Sequence, residues 1–290
     1  MVIASIVGAP FIDECLDSLA LQAKSCSAEV IIVACGTAEY ATRITSKFPW
    51  VRVIQRAERE TVPDLRRHGV EEAGGNIVAI IEEHCVAAPD WLQQAIQAHE
   101  SGDFGVIGGP VAACAYTRLR DWAVYFCEYN NYLPPWQEGG AHDLGSANIA
   151  YSRAVLLKYK DQLSGGYWEA GLHPRLMADG AKFHAAAGMV VYHRGPFNFG
   201  YYLQQRFWFS RAFAGARRLP PSSKAAYILA SPLMPFLLLA RMAMRVSNKH
   251  CHMDKFIQCI PLFIPVLIVY VAGEFIGYLA GPGDALLKVE

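Results

Sequence analysis

From residue 2 to residue 81 the sequence alternates short runs suited to β-strands with stretches at helical spacing. That alternation narrows the fold more than any other feature. VIASIV (2–7) and EVIIVA (29–34) are strand-like, and between them IDECLDSLALQA (12–23) brings Cys15, Leu16, Leu19 and Ala20 to one helical face. VRVIQ (51–55), a helical DLRRHGVEEAGG (64–75) and NIVAII (76–81) continue the series. Strands joined by helices need crossover connections, and so a parallel sheet with helices on both faces.

In such sheets ligands bind beyond the carboxyl ends of the strands. The apolar run 77–81 stops abruptly at Glu82, Glu83 and His84, which delivers two carboxylates and an imidazole to such an end. These groups suit a divalent ion, Mg2+ or Mn2+, and such an ion can clamp a nucleotide diphosphate. On three residues alone, a solvated polar strand end is the equal alternative.

The chain has 290 residues with 26 basic and 26 acidic side chains, so net charge gives no reason to expect nucleic acid as a partner. Eight cysteines lie scattered without a CxxC pair or zinc-ligand spacing, which reads as reduced core thiols. MVIASIV enters a strand pattern directly, without the features of a signal peptide. Beyond residue 90 a helix (91–100) leads to FGVIGGPVAA (104–113) and an aromatic segment, 119–136, of which 122–136 is expected to line an acceptor surface. The Gly-rich 138–153 reads as a loop entering a strand, and 165–195 as loop, helix and a strand ending in His193.

Apolar residues concentrate after 224. Residues 225–240 are uncharged but interrupted by Pro232 and Pro235, and 256–273 are uncharged with the apolar pattern continuing to about 280. The second block is long enough to cross a bilayer. Arg241, Arg245, Lys249 and Lys255 lie between the two, and the positive-inside rule assigns them to the cytoplasm. The expectation is a membrane-associated region, 216–290, with 225–240 interfacial or re-entrant and 256–280 transmembrane. RAFAGARR (211–218) is either a solvated basic face or a contact for anionic headgroups.

Residues 1–215 resemble a family 2 glycosyltransferase of the GT-A fold, of the membrane-anchored bacterial type, through five blocks in order. IASIVGAP with DECLDSLALQ resembles the opening strand and helix. LRRHGVEEAGG resembles an Arg-x-x-Gly-x-x-x-Ala-x-Gly helix through Arg66, Gly69, Ala73 and Gly75. IVAIIEEHCVAAPDWL stands where the family has Asp-x-Asp and Pro-x-Trp-Leu, GSANIAYSR resembles the acceptor loop through Asn148 and Arg153, and YWEAGLHPRLMADG resembles the helix that follows the catalytic aspartate.

The resemblance implies an α/β fold: a GT-A (Rossmann-like), mixed, mostly parallel sheet flanked by helices, followed by C-terminal membrane helices. It implies an inverting, metal-dependent hexosyltransferase using Mn2+ or Mg2+. Such an enzyme would move sugar from a UDP- or GDP-linked donor to a lipid-linked, glycan or other membrane-proximal hydroxyl, facing the cytoplasm at the cytoplasmic membrane. Glu169 falls on the catalytic base position. Glu82, His84 and His193 fall on metal positions. Glu83, Ala9, Cys35, Arg66 and Arg206 fall on nucleotide-sugar positions, and Asn148, Trp168, Gln204 and Trp208 on acceptor positions. Three departures stand out. The nucleoside-binding aspartates of the second strand are Ala34 and Cys35, Asp-x-Asp is Glu-x-His, and Phe207 replaces the Arg of Gln-x-x-Arg-Trp, with Arg206 beside it. His is the softer ligand and favours Mn2+ over Mg2+. A non-catalytic membrane scaffold on the same fold is the competing reading.

Overall fold

The structure, a computed structural model, describes residues 1–6, 8, 10–164, 166–195 and 198–289. It divides into two units. The first comprises residues 1–112 and 134–194, the second residues 113–133 and 195–290, so the division expected at residue 215 is drawn so that 113–133 and 195–215 group with the C-terminal helices.

In the first unit β1 (Val2–Ser5), α1 (Phe11–Ser25), β2 (Val30–Cys35), α2 (Ala38–Lys47), β3 (Val51–Arg56), α3 (Val62–Glu72) and β4 (Ile77–Ile81) follow the expected alternation. β5 (Cys85–Ala87), α4 (Trp91–Glu100), β6 (Val106–Gly108) and β7 (Val111–Ala113) come next. The intervening α5 (Leu119–Tyr129) belongs to the second unit. Then come β8 (Gly139–Gly140), β9 (Asn148–Ser152), α6 (Arg153–Lys158), α7 (Leu172–Ala178), β10 (Phe183–Ala185) and β11 (Val191–His193).

The large sheet runs β3-β2-β1-β4-β9-β6-β10-β8. β1, β2, β3 and β4 are parallel, β9 lies antiparallel between β4 and β6, and β10 is parallel to β6. Chain order reverses between β1 and β4, because β2 and β3 build outward on one side and β4 returns to the other. The carboxyl ends of β1 and β4 therefore border the crevice where α/β sheets bind ligands. A small sheet, β5-β11-β7, stands beside it.

β2 and β4 are apolar runs because both of their faces are covered, whereas β3 at the sheet edge carries Arg52, Gln55 and Arg56; Val2, Ile31, Val33, Val78 and Ile80 meet Leu65 and Val70 of α3 in one core. α3 lies so close to β1 that a Cβ on Gly69 would stand 2.3 Å from Val2 Cγ1, which explains the glycine. That closeness positions Arg66, almost one turn earlier, toward the end of β4.

The second unit is helical. α8 (Phe199–Ala216), α9 (Pro221–Ala230), α10 (Met234–Lys249) and α11 (Met253–Ala280) pack with α5. The aromatic segment expected to line an acceptor surface is instead core here: Trp122, Tyr125 and Phe126 of α5 are buried. Residues 221–249 and Met253–Ala280 form two helical stretches long and apolar enough to cross a membrane.

Candidate active site

β4 ends in a tight turn. The Cys85 N–H donates to the Glu82 carbonyl at 2.9 Å, closing Glu82–Glu83–His84–Cys85 into a loop between the two sheets. The turn sends its side chains to opposite sides. Glu82 and His84 share one, with Glu82 Oε2 3.2 Å from His84 Nε2, and both are partly open to solvent. Donor atoms of Glu82, His84 and Cys85 lie within 4.8 Å of one another, the cluster among the described residues that could hold a metal ion. A carboxylate, an imidazole and a thiol make a borderline donor set, and Mn2+ suits it better than Mg2+.

β11 supplies a further ligand candidate. Its antiparallel register sets His193 opposite Cys85, and the Arg194 N–H donates to the His84 carbonyl at 2.9 Å. The His193 ring stands edge-on to that of His84, centroids 5.3 Å apart. Burial, and then the neighbouring His84, lower its pKa well below the usual value, so the ring is neutral at pH 7 and keeps a lone pair. Arg66, itself buried, reaches Glu82 Oε1 at 3.5 Å and orients that carboxylate from the α3 side. Glu82, His84, His193 and Arg66 are thus brought together.

Glu83 turns the other way. It is buried, and its carboxylate accepts hydrogen bonds from Ser5 Oγ (2.7 Å), Ile6 N–H (2.8 Å) and Gly8 N–H (2.9 Å). Gly8 sits at φ +79°, a left-handed conformation that lets its N–H turn back. The Ser5 hydroxyl also bonds Tyr40 OH at 2.6 Å, and that phenol is pushed up to about 12, chiefly by burial, so it stays protonated. Glu83 therefore holds the loop after β1. Ala9, expected in that loop's nucleotide contact, lies outside the described residues. Cys35, at the end of β2, has its thiol between the Glu58 carbonyl (3.4 Å) and the Glu60 N–H (3.3 Å).

The base candidate approaches from β9. Ile81 pairs with Asn148, and the Glu82 N–H donates to the Ala147 carbonyl at 3.4 Å, so the residues leading into β9 run directly beside the cluster. One residue earlier the Ser146 N–H donates to Glu169 Oε1 at 2.9 Å, and among the described residues no hydrogen bond engages the second carboxylate oxygen. Behind it is a buried pair, Tyr151 OH and His173 Nε2 at 2.7 Å. Burial raises the tyrosine and lowers the histidine, and both feel the Glu169 charge, so this wall is neutral at pH 7.

Two expected acceptor residues have structural surroundings. Asn148 is 1% exposed and its amide is fully engaged, accepting from Trp91 Nε1 (2.7 Å) and donating to the Pro110 (2.9 Å) and Met189 (2.6 Å) carbonyls. It clamps both sheets together. Trp168 is also buried, donating to the Leu163 carbonyl and packing on Tyr151, so it presents no open face to a sugar. Gln204, Arg206 and Trp208 lie on α8 in the second unit, where Arg206 pairs with Glu128 at 2.8 Å and Trp208 carries Lys288 Nζ over its ring at 4.3 Å.

Sequence reasoning missed Ser146 and Tyr151, and it took His173 for a surface or packing group and Cys85 for a core thiol; His173 is indeed buried. A period-two count from β4 would have separated Glu83 from Glu82 and His84, and His173 stands four residues after Glu169, the spacing of helical neighbours. Cys85 carried a signal too, directly after His84, but was read as a core thiol. Ser146 contributes only its backbone, so its side chain carried none.

Comparison with known proteins agrees with this architecture. The sequence profile of Glycosyl transferase family 2 matches residues 2–159. No curated protein matches the chain. Among solved structures, the mannosyltransferase PcManGT from Pyrobaculum calidifontis, in complex with GDP-Man and Mn2+, superimposes with a TM-score of 0.58 at 16% identity, over 96% of this chain and 86% of that one. GalNAc-T7 with UDP, GalNAc and Mn2+ gives 0.52 at 11% identity, over 68% of this chain and 43% of that one. S. aureus TarS 1–349 gives 0.50 at 14%, over 96% and 90%. At these identities the likeness is one of fold.

Proposed function

This chain belongs to glycosyl transferase family 2, and on that premise we propose that it is an inverting, cation-dependent hexosyltransferase. It takes its sugar from a UDP- or GDP-linked donor and gives it to a lipid-linked or glycan hydroxyl at the cytoplasmic face of a membrane. One observation carries the reading. The Glu82–His84–Cys85 cluster and the loop that holds Glu169 are joined by the backbone hydrogen bond from Glu82 N–H to the Ala147 carbonyl. That arrangement supports a reading in which the donor diphosphate lies beside a base for the acceptor.

Glu82, His84 and His193 would hold a divalent cation, with Cys85 at the same cluster, and their mixed oxygen, nitrogen and sulfur donors fit Mn2+. When bound, such an ion neutralises charge on the departing nucleoside diphosphate. The chemistry between acceptor and sugar falls to Glu169. Its free oxygen takes the acceptor hydroxyl proton while the hydroxyl oxygen bonds the anomeric carbon and the carbon–phosphate-oxygen bond breaks on the opposite face, which inverts the centre. Ser146 N–H fixes the other oxygen, so the base arrives oriented. Glu83 and Ser5 act on the donor indirectly, by holding Ile6 and Gly8 at the crevice edge. Support for a nucleotide-sugar donor with Mn2+ comes from two fold relatives, which were solved with GDP-Man or with UDP and GalNAc, each with Mn2+. Two long apolar helices support the membrane placement.

The assay is direct. The full chain is incubated with labelled UDP- and GDP-sugars and a membrane lipid extract, and nucleoside diphosphate release and lipid-extractable label are read. Cation-dependent transfer with an inverted anomeric bond is the expected result. No release from any donor, with lipid present, would leave the non-catalytic scaffold as the better reading.

A further inference from the structure

The second unit exposes apolar side chains that a body surrounded by water would bury. On α11, Ile257, Ile260, Ile264 and Ile268 recur at helical spacing and are 37–58% exposed. The adjoining α9–α10 segment leaves Leu229, Leu233, Phe236 and Leu237 49–81% exposed. α11 packs against both of these helices, so the two sets of exposed side chains lie on adjoining helices. A contiguous apolar surface of this kind marks an interaction site. Segment 216–255 carries seven basic residues against one acid, Asp254, while 225–240 within it is uncharged. An apolar middle bounded by lysine and arginine is complementary to an anionic phospholipid surface.

Length alone would let α11 cross a bilayer, since its 28 residues at about 1.5 Å each exceed a hydrocarbon core of about 30 Å. Its neighbours argue against it. Phe256 and Phe263 meet Phe126 of α5 at 5.3 and 6.2 Å. Further along, α8 lies so close that a Cβ on Gly273 would stand 2.0 Å from Ser210 Oγ, and one on Gly277 2.6 Å from the Arg211 carbonyl. At the helix midpoint Val266 packs with Val124 and Tyr202. Over the Tyr202 ring, at 5.4 Å, sits the Arg206 guanidinium, paired with Glu128. A crossing α11 would carry that ion pair to the centre of the hydrocarbon, where charged side chains are strongly disfavoured.

We propose that α9, α10 and α11 form a monotopic membrane surface, with α11 parallel to the bilayer plane and its isoleucine face sunk into one leaflet of an anionic membrane. α5 and α8 then lie on the water side of α11, where their charged residues remain hydrated. The crossing expected of residues 256–280 gives way to in-plane seating. This proposal does not depend on the transferase assignment.

The test places a spin-labelled amino acid by codon suppression, one site at a time, at 257, 264 and 268 of the full chain. The chain is bound to vesicles of phosphatidylcholine with phosphatidylglycerol, and label depth is read from accessibility to oxygen and to a water-soluble nickel complex. In-plane seating predicts three equal depths, all oxygen-accessible, and vesicle binding that falls with added salt. A crossing helix would spread labels 257 and 268 by about 16 Å in depth, eleven residues apart, and overturn the proposal. Low accessibility to both reagents would mean a protein-covered face, such as a second copy of the chain, and would overturn it too. Full exposure of all three labels to the nickel complex would exclude the membrane.

Discussion

Replacing Glu169 by glutamine is expected to slow sugar transfer by about a hundredfold to ten-thousandfold, the usual contribution of a positioned general base, with nucleotide binding and thermal stability close to the parent's. The substitution is conservative where it counts structurally. A glutamine carbonyl still accepts the Ser146 N–H, so the loop before β9 keeps its anchor. What is lost is the second carboxylate oxygen and the negative charge that takes the acceptor proton. Tyr151 OH and His173 Nε2 behind it are buried and hydrogen-bonded to each other at 2.7 Å, so their polar atoms are already engaged. Turnover number, nucleotide affinity and melting temperature are measured together on both proteins. A loss confined to turnover identifies the base, whereas equal turnover would remove Glu169 from the chemistry.

The second large effect is structural. Glu83→Ala removes the acceptor for three donors at once, Ser5 Oγ and the N–H groups of Ile6 and Gly8. Hydrogen bonds to a charged group are worth about 1.5–3 kcal/mol each, and donors left buried add their desolvation cost, so a loss of roughly 3–5 kcal/mol is expected after allowing for coupling between them. The loop after β1 would lose its left-handed Gly8 anchor, so nucleotide affinity should fall alongside stability. Glu83→Gln should be milder, since the amide oxygen still accepts from one or two of the donors. Denaturant unfolding of the three proteins checks the order. If Glu83→Ala proved as stable as the parent, Glu83 would not be what holds the loop.

The first 81 residues were legible because parallel strands covered on both faces are written as unbroken apolar runs, and helices between them as spaced ones. α2 escaped notice, since it buries only Ile44 and leaves no apolar stripe to read. β6, β7, β10 and β11 are three residues each, too short for any periodicity, and the single strand expected before His193 is in fact two, in different sheets. Glu82, His84, His193 and Arg66, which motif order singled out, lie near one another in the structure. Motif order could not show that Asn148 and Trp168 are buried, because their partners Trp91, Pro110, Met189 and Leu163 are supplied by distant or neighbouring backbone and ring contacts that no spacing records. The acceptor-side reading of 122–136 failed for a related reason. Flat rings suit a sugar surface and a helix core equally, and only the packing of α5 against α11 decides between them.

The account stands on the cluster at the end of β4, and calorimetric titration of the full chain with UDP and with GDP, with and without Mn2+, tests it most directly. The parent is compared with the Glu82→Gln, His84→Ala double variant. Cation-dependent binding of one nucleotide, lost in the variant while its unfolding transition is kept, is the predicted result, and it names the donor's base. Nucleotide binding that is indifferent to Mn2+ and to both substitutions would contradict it.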